Sequence, residues 1–480
     1  MKKSDALFIV LIAAYSYLFY AQSAGINFLL FTILVTSSIA LQKPFLMKSP
    51  AWLVAAIGSI LASVCVFLYG NTLSVFANIL SMLLAAGFSA NRKASVIFSL
   101  LHALYSYVMS LPEMFIQFAE RLEKHPDNPS GDWIKKVLVV VLPVLVTFCF
   151  VLLYRSANPL FDELVAKIDL SFISWGMLFF TLTGMPLVYG TFAQKHIPWL
   201  KEIDQAASDK LQENSSDSGF LSSIVNEFQS GVILLYLLNG LLLVVNVVDF
   251  QFLLSLNKLP HGITYSTFLH QSINTLIFSI IVAIAVILFY FRGNLNFHKN
   301  RKHLKVLAFA WIVQNGILII TSAAKNNLYI MEYALTYKRI GVYVYLLLCL
   351  IGLIITYLKN KNTHSNWFLF RKSSWAFYVV LIGSCFFPWD QIIVSHNLSK
   401  PAPDERYLLS LSASVIPEML RYQQNYGSDP TVSMLLSEKA ISYAYKQNDK
   451  GWQSLNLDDV RVQQAIKENW QFIKAHQNLK

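Results

Sequence analysis

Apolar stretches long enough to cross a bilayer recur from Ala6 to about Trp389, and beyond that point they stop. A helix needs about 20 residues to cross ~30 Å of hydrocarbon. The segment Ser266–Phe291 contains more than 18 consecutive residues without a charge. Backbone groups in hydrocarbon must pair within their own segment, which makes helices the expected form of such runs. The chain is 55% hydrophobic and only 14% charged, with a mean hydropathy of +0.49, whereas a soluble protein carries about 25% charged residues. Its 34 Phe, 23 Tyr and 10 Trp suit side chains placed at bilayer interfaces. The expected fold is therefore all-α: a polytopic transmembrane helical bundle over 1–390, followed by a small helical, water-facing domain over 391–480.

The candidate spans are Ala6–Tyr20, Ala24–Leu41, Trp52–Gly70, Thr72–Ser89, Ala94–Leu111, Ile134–Tyr154, Phe172–Ala193, Phe228–Val248, Phe268–Phe291, Leu304–Ala323, Ile340–Leu358 and Ser374–Trp389. Basic residues favour the cytoplasmic side, which places Lys2/Lys3, Lys43/Lys48, Arg92/Lys93, the Arg292–Lys305 loop and Lys359/Lys361/Arg371/Lys372 there. Five spans between Arg92/Lys93 and Arg292 cannot return the chain to its starting side. The weakest is Ala94–Leu111, which is short, contains His102 and ends at Leu111-Pro112-Glu113. If it stays at the surface, 91–133 and 194–227 are cytoplasmic connections. The chain then has eleven spans, with the N-terminus inside and the C-terminal domain extracytoplasmic; twelve is the alternative. Lys2 and Lys3 ahead of an apolar run, with Ala21-Gln22-Ser23 after it, also fit a cleaved signal peptide, although Tyr15–Tyr20 is rich in aromatics for one.

The net charge of +11 comes without a nucleic-acid recognition motif. Its densest part, Arg292–Lys305, reads as a topology signal and a surface for anionic headgroups. Thus the bilayer is the expected partner and nucleic acid is not. The four cysteines, Cys65, Cys149, Cys349 and Cys385, lie in apolar runs without metal-ligand or CxxC spacing. No HExxH, GxSxG, P-loop or GxGxxG is present. No enzyme activity, cofactor or metal is expected.

Polar groups near the spans are the remaining handles. Asp249, His270, Lys325, Glu332 and Asp390 lie near span ends, where anchoring competes with function. The eleven-span arrangement groups Asp249, His261, Tyr265, His270, Lys325 and Glu332 into one outer polar cluster beneath the tail. The intramembrane amides Asn239, Asn246, Gln314 and Asn315 read first as helix-to-helix hydrogen bonds and second as a substrate path. Asn214–Gly219 reads as a flexible linker. The tail carries 10 Lys+Arg and 9 Asp+Glu from Gln391 to Lys480. It predicts a helix from near Asp404 interrupted at Pro417, and further helices over Thr431–Lys446 and Asp458–Ala475 capped by Thr431 and Asp458.

Three stretches carry a family resemblance: Leu259–Ser266, with Asp249-Phe250 upstream; Tyr333–Arg339; and His396-Asn397-Leu398 followed by Tyr407–Ser412 and Gly451–Leu457. In this order they resemble the bacterial membrane proteins of the domain-of-unknown-function 4173 type, related to the 4153 type. The family's Gly-Leu-Thr is Ala334-Leu335-Thr336 here, and its Arg after the first stretch is replaced by His270 or Gln271. The resemblance implies a bacterial cytoplasmic (inner) membrane protein and brings no activity, substrate or catalytic residue. Two functions are compatible with these features. One is an envelope sensor, scaffold or assembly factor with an envelope partner reached through 391–480. The other is a transporter or exporter of a small molecule.

Overall fold

The computed structural model describes residues 3–114, 174–213, 224–254, 265–427, 429–448 and 450–477, with scattered positions between 116 and 161; for 3–5 and 265–277 it describes the backbone alone. Among the described residues there are helices and one isolated bridge, Lys210 with His364, and no strand. The bundle comprises α1 (Lys3–Phe19), α2 (Ile26–Gln42), α3 (Pro50–Tyr69), α4 (Thr72–Ala90), α5 (Val96–Val108), α6 (Trp175–Phe192), α7 (Pro198–Ala206), α8 (Ile224–Leu254), α9 (Tyr265–Tyr290), α10 (Arg301–Tyr333), α11 (Tyr337–Asn362) and α12 (Asn366–Cys385). The tail adds α13 (Trp389–Leu398), α14 (Glu405–Leu409), α15 (Ile416–Tyr426), α16 (Pro430–Asn448), α17 (Leu457–Glu468) and α18 (Trp470–Gln477). The expected span Ile134–Tyr154, the linker Asn214–Gly219 and most of Leu259–Ser266 lie largely or wholly outside the described residues.

Among the described residues, five helices are long and apolar enough to cross a membrane: α3, α4, α8, α10 and α11. A sixth span results if α12 and α13, bent by 59° at a short break, count as one. The break falls at Phe386-Phe387-Pro388, where the proline removes a helix donor. Ala6–Phe19, Ile26–Gln42, Val96–Val108 and Phe278–Tyr290 are shorter apolar helices.

Hydrogen bonds sort the helix ends onto two faces. On one, Lys43 Nζ donates to the Ser89 carbonyl at 3.0 Å, Ser95 N–H to Asp204 at 2.7 Å, Lys305 Nζ to Thr363 Oγ1 at 3.2 Å and Lys359 Nζ to the Phe291 carbonyl at 3.0 Å. Arg371 reaches Asp204 and Asp209 there. This is the basic end. Both halves of α5 stay on it: Ser95 meets Asp204, and Ser106 Oγ donates to the Lys195 carbonyl at 3.1 Å. At the opposite end the tail sits on the helix turns. Ile26 N–H donates to the Leu455 carbonyl at 2.8 Å, and a Cβ on Gly25 would stand 2.5 Å from the Ser454 backbone. Only glycine lets the α1–α2 turn come this close to the tail.

Among the described residues two large cores divide the bundle, beside a small cluster of Ala94, Phe98 and Leu200. The first joins α1–α4, α6 and α12 through residues such as Leu11, Ala55, Phe88, Val188 and Tyr378. Small residues let α3 and α4 approach closely: Ala55, Ser59 and Ala62 face Ala77, Ser81 and Ala85, all buried. The second joins α8–α11 around Leu235, Ile287, Trp311 and Leu353. The tail has its own core of Val415, Met419, Leu436, Val462 and Ile473, to which Ile330 and Leu335 of the bundle contribute.

The tail corrects three details of the sequence reading. The helix starting at Pro430 is preceded by Asp429, whose carboxylate accepts the Thr431 N–H at 2.8 Å, so Thr431 is not the cap. Asn456, not Asp458, caps α17, accepting the Asp459 N–H at 2.7 Å. Pro417 lies in the first turn of α15 and begins a helix where an interruption was expected; its missing N–H costs nothing there.

Candidate functional site

The two cores meet along α11 and α12, and the gap between α4 and α11 is unfilled at the tail end. It forms a cavity of about 850 Å³ between helices and tail. Its floor is apolar. Ile340, Val344 and Leu348 repeat every four residues on α11, so one helix face lines it, and Phe377 and Leu381 on α12 do the same. Gly341 borders the same space, with nothing within 4 Å of where a Cβ would stand.

The roof is polar and comes mostly from the tail. Asp390 accepts from Tyr337 Oη at 2.6 Å, from Ser412 N–H at 3.3 Å and from Ser414 Oγ at 3.5 Å. Asp459 accepts from Tyr443 Oη and from Lys450 at 3.3 Å. Asp458 accepts from Gln391 at 2.8 Å and from Arg461 at 3.1 Å. Burial pushes the Asp458 carboxyl above its usual range, against the pull of Arg461. Burial first, and then the neighbouring Asp459, push the Tyr443 hydroxyl upward. The cap of α17 explains why two adjacent aspartates face one way: Asn456 turns the chain so that the first helical turn, with Asp458 and Asp459, points into the cavity. Among the described residues no group of three His, Cys, Asp or Glu is placed to hold a metal ion.

The roof is locked to the floor by one amide. Asn397, 2% exposed, accepts the Leu335 N–H at 2.7 Å and donates to the Leu335 carbonyl at 2.9 Å. Arg339 binds the Tyr333 and Ala334 carbonyls and stacks over the Tyr329 ring at 4.1 Å. Between these clamps Ala334 has φ +69° and ψ 174°, a conformation essentially confined to glycine. The surrounding contacts over-determine it. Ala334→Gly is expected to stabilise the protein by about 1–3 kcal/mol, read as a raised denaturation midpoint in detergent. An unchanged or lowered midpoint would show that Ala334 is not strained.

The candidates of the sequence reading are distributed differently. Asp249 and Lys325 form a pair at 2.5 Å between α8 and α10, with Thr321 Oγ1 donating to Asp249 at 3.3 Å. Glu332 is exposed on α10 and makes no ion pair among the described residues. His261 lies outside the described residues, as do the side chains of Tyr265 and His270. Of the three whose side chains are described, Asp249, Lys325 and Glu332, none lines the cavity, whereas Asp390 does. The amides join α8 to α10: Asn239 donates to the Leu307 carbonyl at 3.0 Å, Gln314 to Asn239 Oδ1 at 2.8 Å and Asn246 to the Gln314 carbonyl at 3.1 Å. Asn315 donates to the Trp311 carbonyl of its own helix at 2.8 Å. Tyr337, Asp458 and Asp459 escaped notice as site residues. The available signal was position: Tyr337, Ser412 and Asn456 all lie inside the family-like stretches and all line the cavity.

Comparison with known proteins adds a family. The family model described as Domain of unknown function (DUF4153) matches residues 56–422, which includes α11, α12 and the Asp390 and Ser412–Ser414 part of the roof. No curated protein and no solved structure matches the chain.

Proposed function

We propose, for a chain that belongs to the DUF4153 family, that the protein binds one amphiphilic molecule at the tail-side face of a membrane and through it serves the bacterial envelope as a sensor or assembly factor. The cavity carries this reading: an apolar floor between membrane helices and a roof of carboxylates and hydroxyls, as an amphiphile's chain and headgroup require. The positive-inside rule puts the basic end in the cytoplasm and the tail outside, in the cytoplasmic membrane. The chain leaves α5 at the basic end and enters α6 at the tail end, near Tyr20. This topology keeps the eleven spans expected from the sequence.

Val344→Trp tests the reading by filling the floor. In native mass spectrometry, the wild type is expected to carry a saturable amphiphile, and the variant to hold it at least about tenfold more weakly, or ~1.4 kcal/mol, at an unchanged melting temperature. A wild type that carries none, or a variant that binds normally, sinks the proposal.

The alternative, an exporter, draws support from the two separate cores with the cavity on their seam. It requires Asn239, Asn246 and Gln314 to serve a path, whereas their bonds serve the α8–α10 packing. Loss of flux without loss of stability on replacing them by Leu would favour the exporter.

A further inference from the structure

We infer that the headgroup received by the cavity carries an ammonium group and that Asp390 is the residue that takes its charge; this rests on the amphiphile reading above. Among the described residues the lining holds three aspartates and one lysine. Two of the aspartates already have a cation, Asp459 from Lys450 and Asp458 from Arg461. Asp390 has neutral donors only: the Tyr337 hydroxyl, the Ser412 N–H and the Ser414 hydroxyl. Among the described residues it has no ion-pair partner. The nearby cation, Lys439, acts on Asp390 only through space, because its ammonium is bound by the carbonyls of Leu409 and Leu411.

Asp390 is half-buried, and a carboxylate partly withdrawn from water beside an apolar floor gains from a countercharge. A carboxylate has about four acceptor positions, and the donors above fill three of those on Asp390. An ammonium supplies both a fourth donor and a cation in contact. A phosphate or carboxylate headgroup would instead meet the Asp390 carboxylate, which has no ion-pair partner among the described residues. The same end of the cavity is bordered by Tyr69, Tyr337 and Trp389, rings whose faces attract cations. The floor from Ile340 to Leu348 runs about 12 Å along α11, which suits a single alkyl chain.

The full chain, in a neutral polyoxyethylene detergent, is titrated by native mass spectrometry with dodecylammonium, dodecyl maltoside and dodecyl phosphate, which share one tail. The wild type is expected to bind dodecylammonium at least about tenfold more tightly than dodecyl phosphate. Asp390→Asn is expected to reduce that ratio to below about threefold while retaining the maltoside, and Asp390→Glu is expected to keep it. Retained maltoside binding also shows that the Asn variant is folded. Equal binding of all three heads by the wild type overturns the ammonium assignment and leaves the amphiphile reading standing. A preference that survives Asp390→Asn overturns the role of Asp390. Saturable binding of none of the three overturns both inferences.

Discussion

Replacing Lys325 by Met is expected to destabilise the protein by about 3–5 kcal/mol, because it leaves Asp249 as an unpaired charge in a desolvated place. Lys325 Nζ lies 2.5 Å from Asp249 Oδ1, and the two side chains are only 7% and 13% exposed. Thr321 gives Asp249 one neutral hydrogen bond, which cannot replace a countercharge. The double replacement Lys325→Met, Asp249→Leu should recover most of the loss, since a buried pair replaced by apolar side chains is often neutral in sum. Equilibrium unfolding in detergent measures both. If the double variant is as unstable as the single one, the two residues are not coupled across α8 and α10. The pair would hold α8 on α10 at the tail end, as Asn239, Asn246 and Gln314 do deeper in the same contact.

Much of the helical content was legible because its signal is long and one-dimensional. An apolar run such as that of α11 needs no knowledge of its neighbours to be read as a helix. The pairing of Asp249 with Lys325 was half legible: both were singled out as ionisable groups near span ends, but in a larger cluster that included Glu332, which is exposed. Sequence places residues at the same depth without giving their azimuth around each helix. The cavity was the least legible feature. Its lining comes from the α1–α2 and α3–α4 turns, two bundle helices and four parts of the tail, and no local pattern records a gap between distant elements. Asp458 shows how the local signal misled. An aspartate ahead of an amphipathic run reads as a cap, yet Asn456 two residues earlier takes that role and turns Asp458 toward the cavity. Ala334 is the opposite case. The resemblance marks it as a position where the family has glycine, and a φ of +69° supplies the physical reason.

Asn397→Leu is expected to have the broadest consequence, because Asn397 joins what the cavity needs joined. The Leu335 N–H and carbonyl have the Asn397 side chain as their partner, at 2.7 and 2.9 Å. A leucine leaves both buried groups unpaired, at about 1–3 kcal/mol each. The segment from Tyr333 to Arg339 would then lose its anchor on α13, and with it the position of Tyr337, whose hydroxyl holds Asp390 at 2.6 Å. The roof would loosen while the bundle cores, which do not contain Asn397, persist. Limited trypsin digestion should therefore cut at Arg406 at least about tenfold faster in the variant, with helical content retained and amphiphile binding lost. Faster cleavage with normal binding would mean that the roof does not need this clamp. Unchanged cleavage would mean that the tail is held to the bundle chiefly by the contacts of Ser454 and Leu455 with the α1–α2 turn.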